Sequence, residues 1–191
     1  MPTLYHYSPL VHLAPIVAEG LTIGEIAQPN RYNRESAISL TSQTDPDKLM
    51  CWGASFSMKP AVRYVCRLPD GDKRLEATRD AWKRLNIPKA FRDILDPQGQ
   101  AKWWWFWHGV IPPDLFTVEL RGRDGYKAVE GRDLKRVAGE VAAVRERLRF
   151  EPHPDAPSIL IIHVKDENDD EALAVLDEVY PADKYGIDTL K

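Results

Sequence analysis

Leu4-Tyr5-His6-Tyr7-Ser8, followed at once by Leu10-Val11-His12-Leu13-Ala14-Pro15-Ile16-Val17-Ala18-Glu19-Gly20-Leu21, is the stretch whose reading decides the fold. Its first five residues are rich in strand formers and carry one histidine. Leu10, Leu13, Ile16 and Val17 then recur at helical spacing. Gly20 stands where a helix C-terminus takes a residue at positive φ. Pro15 would remove a hydrogen bond from a helix that began at Leu10, so a start near Ala14, or a kink, is expected.

Working outward, residues 28–35 are polar and read as a loop, and Ser36-Ala37-Ile38-Ser39-Leu40-Thr41 reads as a compact strand. Residues 42–47 look like a turn leading into a helix. Residues 61–68 make the strongest strand pattern, closed by Pro69-Asp70-Gly71, a turn signal. Residues 75–85 and 89–95 read as two helical pieces around Pro88. Residues 102–110 are aromatic and strand-like; Ile111-Pro112-Pro113-Asp114 breaks them, and a strand resumes over 115–120. Residues 122–131 read as a polar connection. Leu134, Val137, Val141, Val144 and Leu148 share one face of a helix over 134–148. Residues 151–157 read as a linker, 158–164 as a buried strand, and 169–179 as a helix with acids in its first turn. Helices do not alternate strictly with strands after residue 100, which predicts an α+β chain rather than a doubly wound parallel sheet. The expected organisation is one domain over 1–150, with a strand–helix extension over 151–191 packed on it.

Composition excludes several classes. The chain has 191 residues, 43% hydrophobic and 29% charged, enough for one sizeable core. A net charge of -3 gives no strong overall field toward nucleic acid or anionic lipid, although a local basic patch is compatible with it. Cys51 and Cys66 lack metal-ligand spacing and favour a reducing, cytoplasmic setting. No basic segment leads into an apolar run at the N-terminus, so no signal peptide is expected. Apolar runs fall far short of the roughly 18 residues that suggest a membrane span.

Three segments, taken in order, resemble the ADP-ribosyltransferase-like fold, including uncharacterised bacterial and phage proteins of that type. They are Leu4-Tyr5-His6-Tyr7-Ser8 with Glu19-Gly20-Leu21, Ser36 through Ser42, and Trp105-Phe106-Trp107-His108-Gly109-Val110-Ile111-Pro112-Pro113-Asp114-Leu115. The resemblance covers residues 1–120. It implies a split antiparallel β-sheet core with peripheral helices, to which the C-terminal strand–helix unit is added. It also implies NAD as a bound substrate. His6 would hydrogen-bond a ribose, and an imidazole offers the donor and acceptor for that. Backbone groups at Tyr7 would pair with the nicotinamide amide. Ser39 would lie beside the nicotinamide ring, and Ser8 and Thr41 would complete the pocket. Ser39 cannot stack on the ring as an aromatic residue does.

The third segment departs from the family. Active transferases place a glutamate at the start of this strand, where it stabilises the oxocarbenium-like state. Here the stretch is Trp103-Trp104-Trp105-Phe106-Trp107, and the nearest acids are Asp96, Asp114 and Glu119. Three readings follow: a transferase acting on an unknown protein or nucleic-acid acceptor, a degenerate nucleotide- or protein-binding module, and an RNA 2'-phosphotransferase-like enzyme using Arg31, Arg34 or Arg63. The tryptophan block reads first as a central strand buried on both faces, with a stacking surface and an exposed patch for a protein partner as the alternatives. No histidine pair has metal-ligand spacing on one element, so no metal site is expected. Gly122-Arg123-Asp124-Gly125 reads as a turn, not a phosphate loop.

Overall fold

Seven antiparallel strands form the central sheet of the computed structural model, which describes residues 3–29, 35–45, 48, 60–154, 156–166, 168–170, 172 and 180–187. The strands are β1 (Leu4–Ser8), β4 (Ile38–Thr41), β5 (Val62–Cys66), β6 (Leu75–Ala77), β7 (Trp104–Trp107), β8 (Phe116–Gly122) and β9 (Gly125–Val129). Their order is β6-β7-β4-β1-β5-β8-β9. Two short pairs lie outside it. β2 (Glu25–Ile26) pairs with β3 (Glu35–Ser36), and β10 (Leu148–His153) pairs with β11 (Ala156–Val164). The helices are α1 (Leu13–Glu19), α2 (Thr78–Arg84), α3 (Lys89–Leu95), α4 (Gly131–Arg145) and α5 (Pro181–Lys184). A mixed α and β chain with a large antiparallel sheet is therefore present.

Strand alternation divides the sheet into two faces. Leu4, Val62, Tyr64, Cys66, Val118, Leu120, Ile38, Leu40 and Trp107 share one face and join the main core. Leu13 of α1, Val137, Val141 and Val144 of α4, and Leu148, Ala182 and Ile187 pack into the same core. Full burial of each large side chain here is worth about 1.5–3 kcal/mol. On the opposite face, among the described residues, helices cover one half. There α2 and α3 pack Ala81, Trp82, Phe91 and Leu95 against Trp104 and Phe106. Trp104, Phe106 and Trp107 are buried, so β7 is the interior strand that the aromatic block predicts. Trp103 lies before β7, in a 3-10 turn, and is 42% exposed.

Pro15 is accommodated without a kink. A 3-10 turn over Leu10–His12 precedes α1, so Pro15 is its third residue. The N–H groups of a first helical turn have no partner within the helix, and proline loses nothing there. Gly20 ends the helix at φ +90°, donating its N–H to Ile16. A Cβ on Gly20 would lie 2.4 Å from the Ile111 carbonyl oxygen. Leu21 and Ile111 form an isolated antiparallel bridge through two backbone hydrogen bonds of 2.9 and 3.1 Å. The Glu-Gly-Leu and Val-Ile-Pro-Pro segments thus meet, ninety residues apart in the chain.

Several expected elements are corrected. Residues 75–77 form β6 rather than helix, because they pair with β7, and the helix begins at Thr78. Residues 122–131 contain β9, joined to β8 by the two-residue turn Arg123-Asp124. The supposed linker at 151–157 belongs to the β10–β11 hairpin, and Leu148 starts β10 rather than ending α4. The boundary drawn at residue 150 falls inside β10. The helix starts expected after Ser42 and at Asp169 lie largely outside the described residues. No helix among the described residues is long and apolar enough to cross a membrane.

Candidate functional site

The sheet opens beside β1. β1 pairs with β5 in register along all five of its residues, from Leu4↔Cys66 to Ser8↔Val62. Toward β4 the register holds at Tyr5↔Thr41 alone. Beyond that pair the His6 ring spans the opening, its Nδ1 2.9 Å from the Ser39 carbonyl oxygen. A carbonyl only accepts, so Nδ1 carries the proton and the acceptor lone pair of a neutral ring lies on Nε2. The sequence-predicted His6 and Ser39 are thereby brought together, through a side chain and a backbone group.

The other expected pocket residues divide between the faces. Ser8 shares the core-side face with His6; it is buried and donates to the Pro9 carbonyl at 3.1 Å. Tyr7 lies on the opposite face, its hydroxyl donating to the carbonyls of Gln43 (3.0 Å) and Thr44 (3.2 Å). Burial pushes the Tyr7 phenol up to about 12, with Arg63 opposing the rise. Thr41 is buried, and its Oγ1 accepts from the Gln43 N–H at 3.0 Å, fixing the turn after β4. Ser39 is half-buried and stands opposite Phe106 of β7.

No helix among the described residues covers the Tyr7 face over β1, β5, β8 and β9. Arg63 is its centre. It faces Tyr7 on β1 and Glu119 on β8 in register. Its Nε donates to Glu119 at 2.5 Å, and its guanidinium lies 4.0 Å from the Tyr126 ring and 5.0 Å from the Tyr5 ring. A further hydrogen bond of 3.2 Å reaches the Thr44 carbonyl. Burial favours the neutral guanidine, but the Glu119 carboxylate outweighs it and holds Arg63 above its ordinary value.

Carboxylates flank the opening on both sides, and arginines hold them. Glu119 is taken by Arg63. On the other half, Glu76 stands opposite Phe106, which stands opposite Ser39. Arg84 grips Glu76 at 2.7 Å and Glu35 at 2.8 Å, and His108 contacts both acids at 3.0 and 3.2 Å. The Glu76 carboxyl is held below the usual range, chiefly by Arg84, against the effect of burial. Glu35, Glu76 and His108 present ligand atoms within 4.8 Å of one another, but Arg84 already occupies both carboxylates. Asp96 accepts backbone N–H groups of Gln100 and Ala101, and Asp114 lies in the 3-10 turn before β8.

Arg63 is on the face opposite His6; Arg31, Arg34 and Cys51 lie outside the described residues. The Arg63–Glu119–Tyr126 cluster escaped the sequence reading. Its signal was a charged residue at alternate positions of two strands whose other residues are apolar, which marks a face not packed into the core. Comparison of the chain with protein-family models, with curated proteins and with solved structures returned no match.

Proposed function

We propose that the chain binds NAD or a related ADP-ribose-bearing nucleotide at the opening between β1 and β4, as an ADP-ribosyltransferase-like protein. The opening itself is the supporting observation: register pairing lapses after Tyr5↔Thr41, and the His6 imidazole reaches Ser39 instead. A neutral imidazole pairs one donor with one acceptor nitrogen, the kind of group that suits a ribose hydroxyl. Strand backbone at an opening offers hydrogen-bond groups that a planar amide can use, as an added strand does. β7 contributes Trp104–Trp107 and no acid, and Glu76 and Glu119 are each engaged by an arginine. Binding without transfer is the reading these contacts favour. Thermal shift tests it. NAD or ADP-ribose at about 100 times its dissociation constant adds about 2.7 kcal/mol, raising the melting temperature by roughly 5–10 °C. His6→Ala removes that shift. No shift with either nucleotide overturns the proposal.

A second reading, transfer of ADP-ribose to a protein or nucleic-acid acceptor, draws on Glu119. It lies on the same cross-strand row as Tyr7, two strands or about 10 Å away. This reading requires nicotinamide release from NAD that Glu119→Gln abolishes while binding persists. Binding with no release, across protein and nucleic-acid acceptors, excludes it.

A further inference from the structure

We propose that residues 42–45 form an autoinhibitory strap, latched across the β1–β4 opening by the Tyr7 hydroxyl and Arg63, which a nucleotide must release to enter. The inference rests on the nucleotide reading of that opening. Ser42-Gln43-Thr44-Asp45 leaves β4, one bank of the opening, directly after Thr41. Its peptide carbonyls reach the other bank. The Tyr7 hydroxyl of β1 donates to the Gln43 carbonyl at 3.0 Å and to the Thr44 carbonyl at 3.2 Å. On β5, Arg63 stands opposite Tyr7 and donates through Nη1 to the same Thr44 carbonyl at 3.2 Å.

The strap crosses the side of the sheet that the ligand needs. Thr41 stands opposite Tyr5, and strand alternation puts Ser39 and Tyr7 on that same face. A nicotinamide ring laid beside Ser39 and the Tyr7 backbone occupies this side. Gln43 and Thr44 already cross it, on hydrogen bonds that end at Tyr7 itself.

The latch holds firmly enough to close and loosely enough to open. Burial pushes the Tyr7 phenol up to about 12, so the hydroxyl keeps its proton at neutral pH and stays a donor. It has one hydrogen to divide between two carbonyls. Release takes one contact from Arg63 and leaves its Nε on Glu119. Ser42-Gln43-Thr44-Asp45 has no apolar side chain, and segments poor in buried apolar contacts open locally at low cost. A hinge is fixed at the other end, where the Ser42 N–H donates to the Trp103 carbonyl at 2.8 Å. Past the hinge the bonds are local: the Gln43 N–H to Thr41 Oγ1 at 3.0 Å, and the Asp45 N–H to Gln43 Oε1 at 3.2 Å.

The test uses the 191-residue chain, with NAD as the probe and hydrogen exchange at the Ser42, Gln43 and Asp45 amides read by NMR. Saturating NAD should speed exchange at Gln43 and Asp45 while Ser42 at the hinge keeps its protection. Tyr7→Phe keeps the ring and the backbone groups and removes the hydroxyl. In the free chain it should speed the same two amides by about two- to tenfold, the worth of one hydrogen bond. It should tighten NAD binding by a similar factor, because more of the chain is then open to the ligand. NAD that slows exchange at Gln43 and Asp45 overturns the proposal, since the strap then closes over the ligand. Unchanged exchange in Tyr7→Phe overturns the latch. A loosened strap with NAD binding no tighter than in the parent overturns the competition. These three outcomes leave the nucleotide reading standing. NAD binding by Tyr7→Phe but not by the parent supports both, and failure of both chains to bind NAD overturns the nucleotide reading and the strap's role with it.

Discussion

Replacing Arg63 with methionine isolates the charge at the centre of the Tyr7 face of the sheet. Methionine keeps an unbranched apolar stem but removes the guanidinium that lies over Tyr5 and Tyr126, so the loss is mainly electrostatic. The Arg63 and Glu119 side chains are 15% and 20% exposed. Breaking a buried pair by removing one partner costs about 3–5 kcal/mol, and this partial exposure reduces that to about 2–3 kcal/mol. The Thr44 carbonyl loses a donor, worth about 0.5–1.5 kcal/mol. The contact with the Tyr126 ring adds about 0.5–1 kcal/mol. Arg63→Met is therefore expected to lose about 3–5 kcal/mol in urea unfolding, lowering the melting temperature by roughly 6–20 °C. Glu119→Gln in the same chain removes the stranded carboxylate. The double variant should recover about 2 kcal/mol, and that non-additivity measures the pair. A single-variant loss under about 1 kcal/mol, or additive effects, refutes a buried pair organising this face.

Gly20→Ala forces a side chain onto a backbone at φ +90° and toward the Ile111 carbonyl oxygen. It should cost about 3–5 kcal/mol from backbone strain and loss of the Leu21–Ile111 bridge, and a melting temperature within about 2 °C of the parent contradicts this. Glu76, depressed mainly by Arg84, binds fewer protons when folded than when unfolded. Its stabilisation is full above an unfolded value of about 4.3 and is lost as pH falls through the depressed value. Urea midpoints between pH 6 and pH 3 should fall less steeply in Arg84→Ala; identical slopes contradict the assignment. Burial pushes the Cys66 thiol up to about 12. In a Cys51→Ser background it should react with a disulfide reagent at pH 8 only after unfolding, because about one thiol in ten thousand is then ionised; labelling of the native chain at the rate of free cysteine contradicts that burial.

The elements legible in the sequence were those with a complete local signal. β1 with its capped helix, β5 with its closing turn and the valine stripe of α4 each carry periodicity and punctuation together. β6 was misread because Leu75-Glu76-Ala77 has no strand propensity of its own; pairing with the tryptophan strand makes it one. β9 and β10 were misread as polar connections because each is a half-exposed hairpin strand, and polarity on one face resembles loop composition. The site shows the same limit. The sequence names His6 and Ser39 as single residues, and the hydrogen bond between them depends on how two strands diverge. The Arg63–Glu119 pair joins positions 56 residues apart, and only strand register makes them neighbours.

The Leu21–Ile111 bridge has a mechanical consequence for the opening. A sheet whose halves share one register pair at β1 and β4 has little of its own to stop them drifting apart. β1 runs through a 3-10 turn directly into α1, and Leu21 at the end of that helix is tied to the segment leaving β7. The tie closes a loop around the gap, so the missing rungs of the ladder are replaced by a strut outside the sheet. The width of the opening is then set by the length of one short helix and by a glycine that lets two backbones touch.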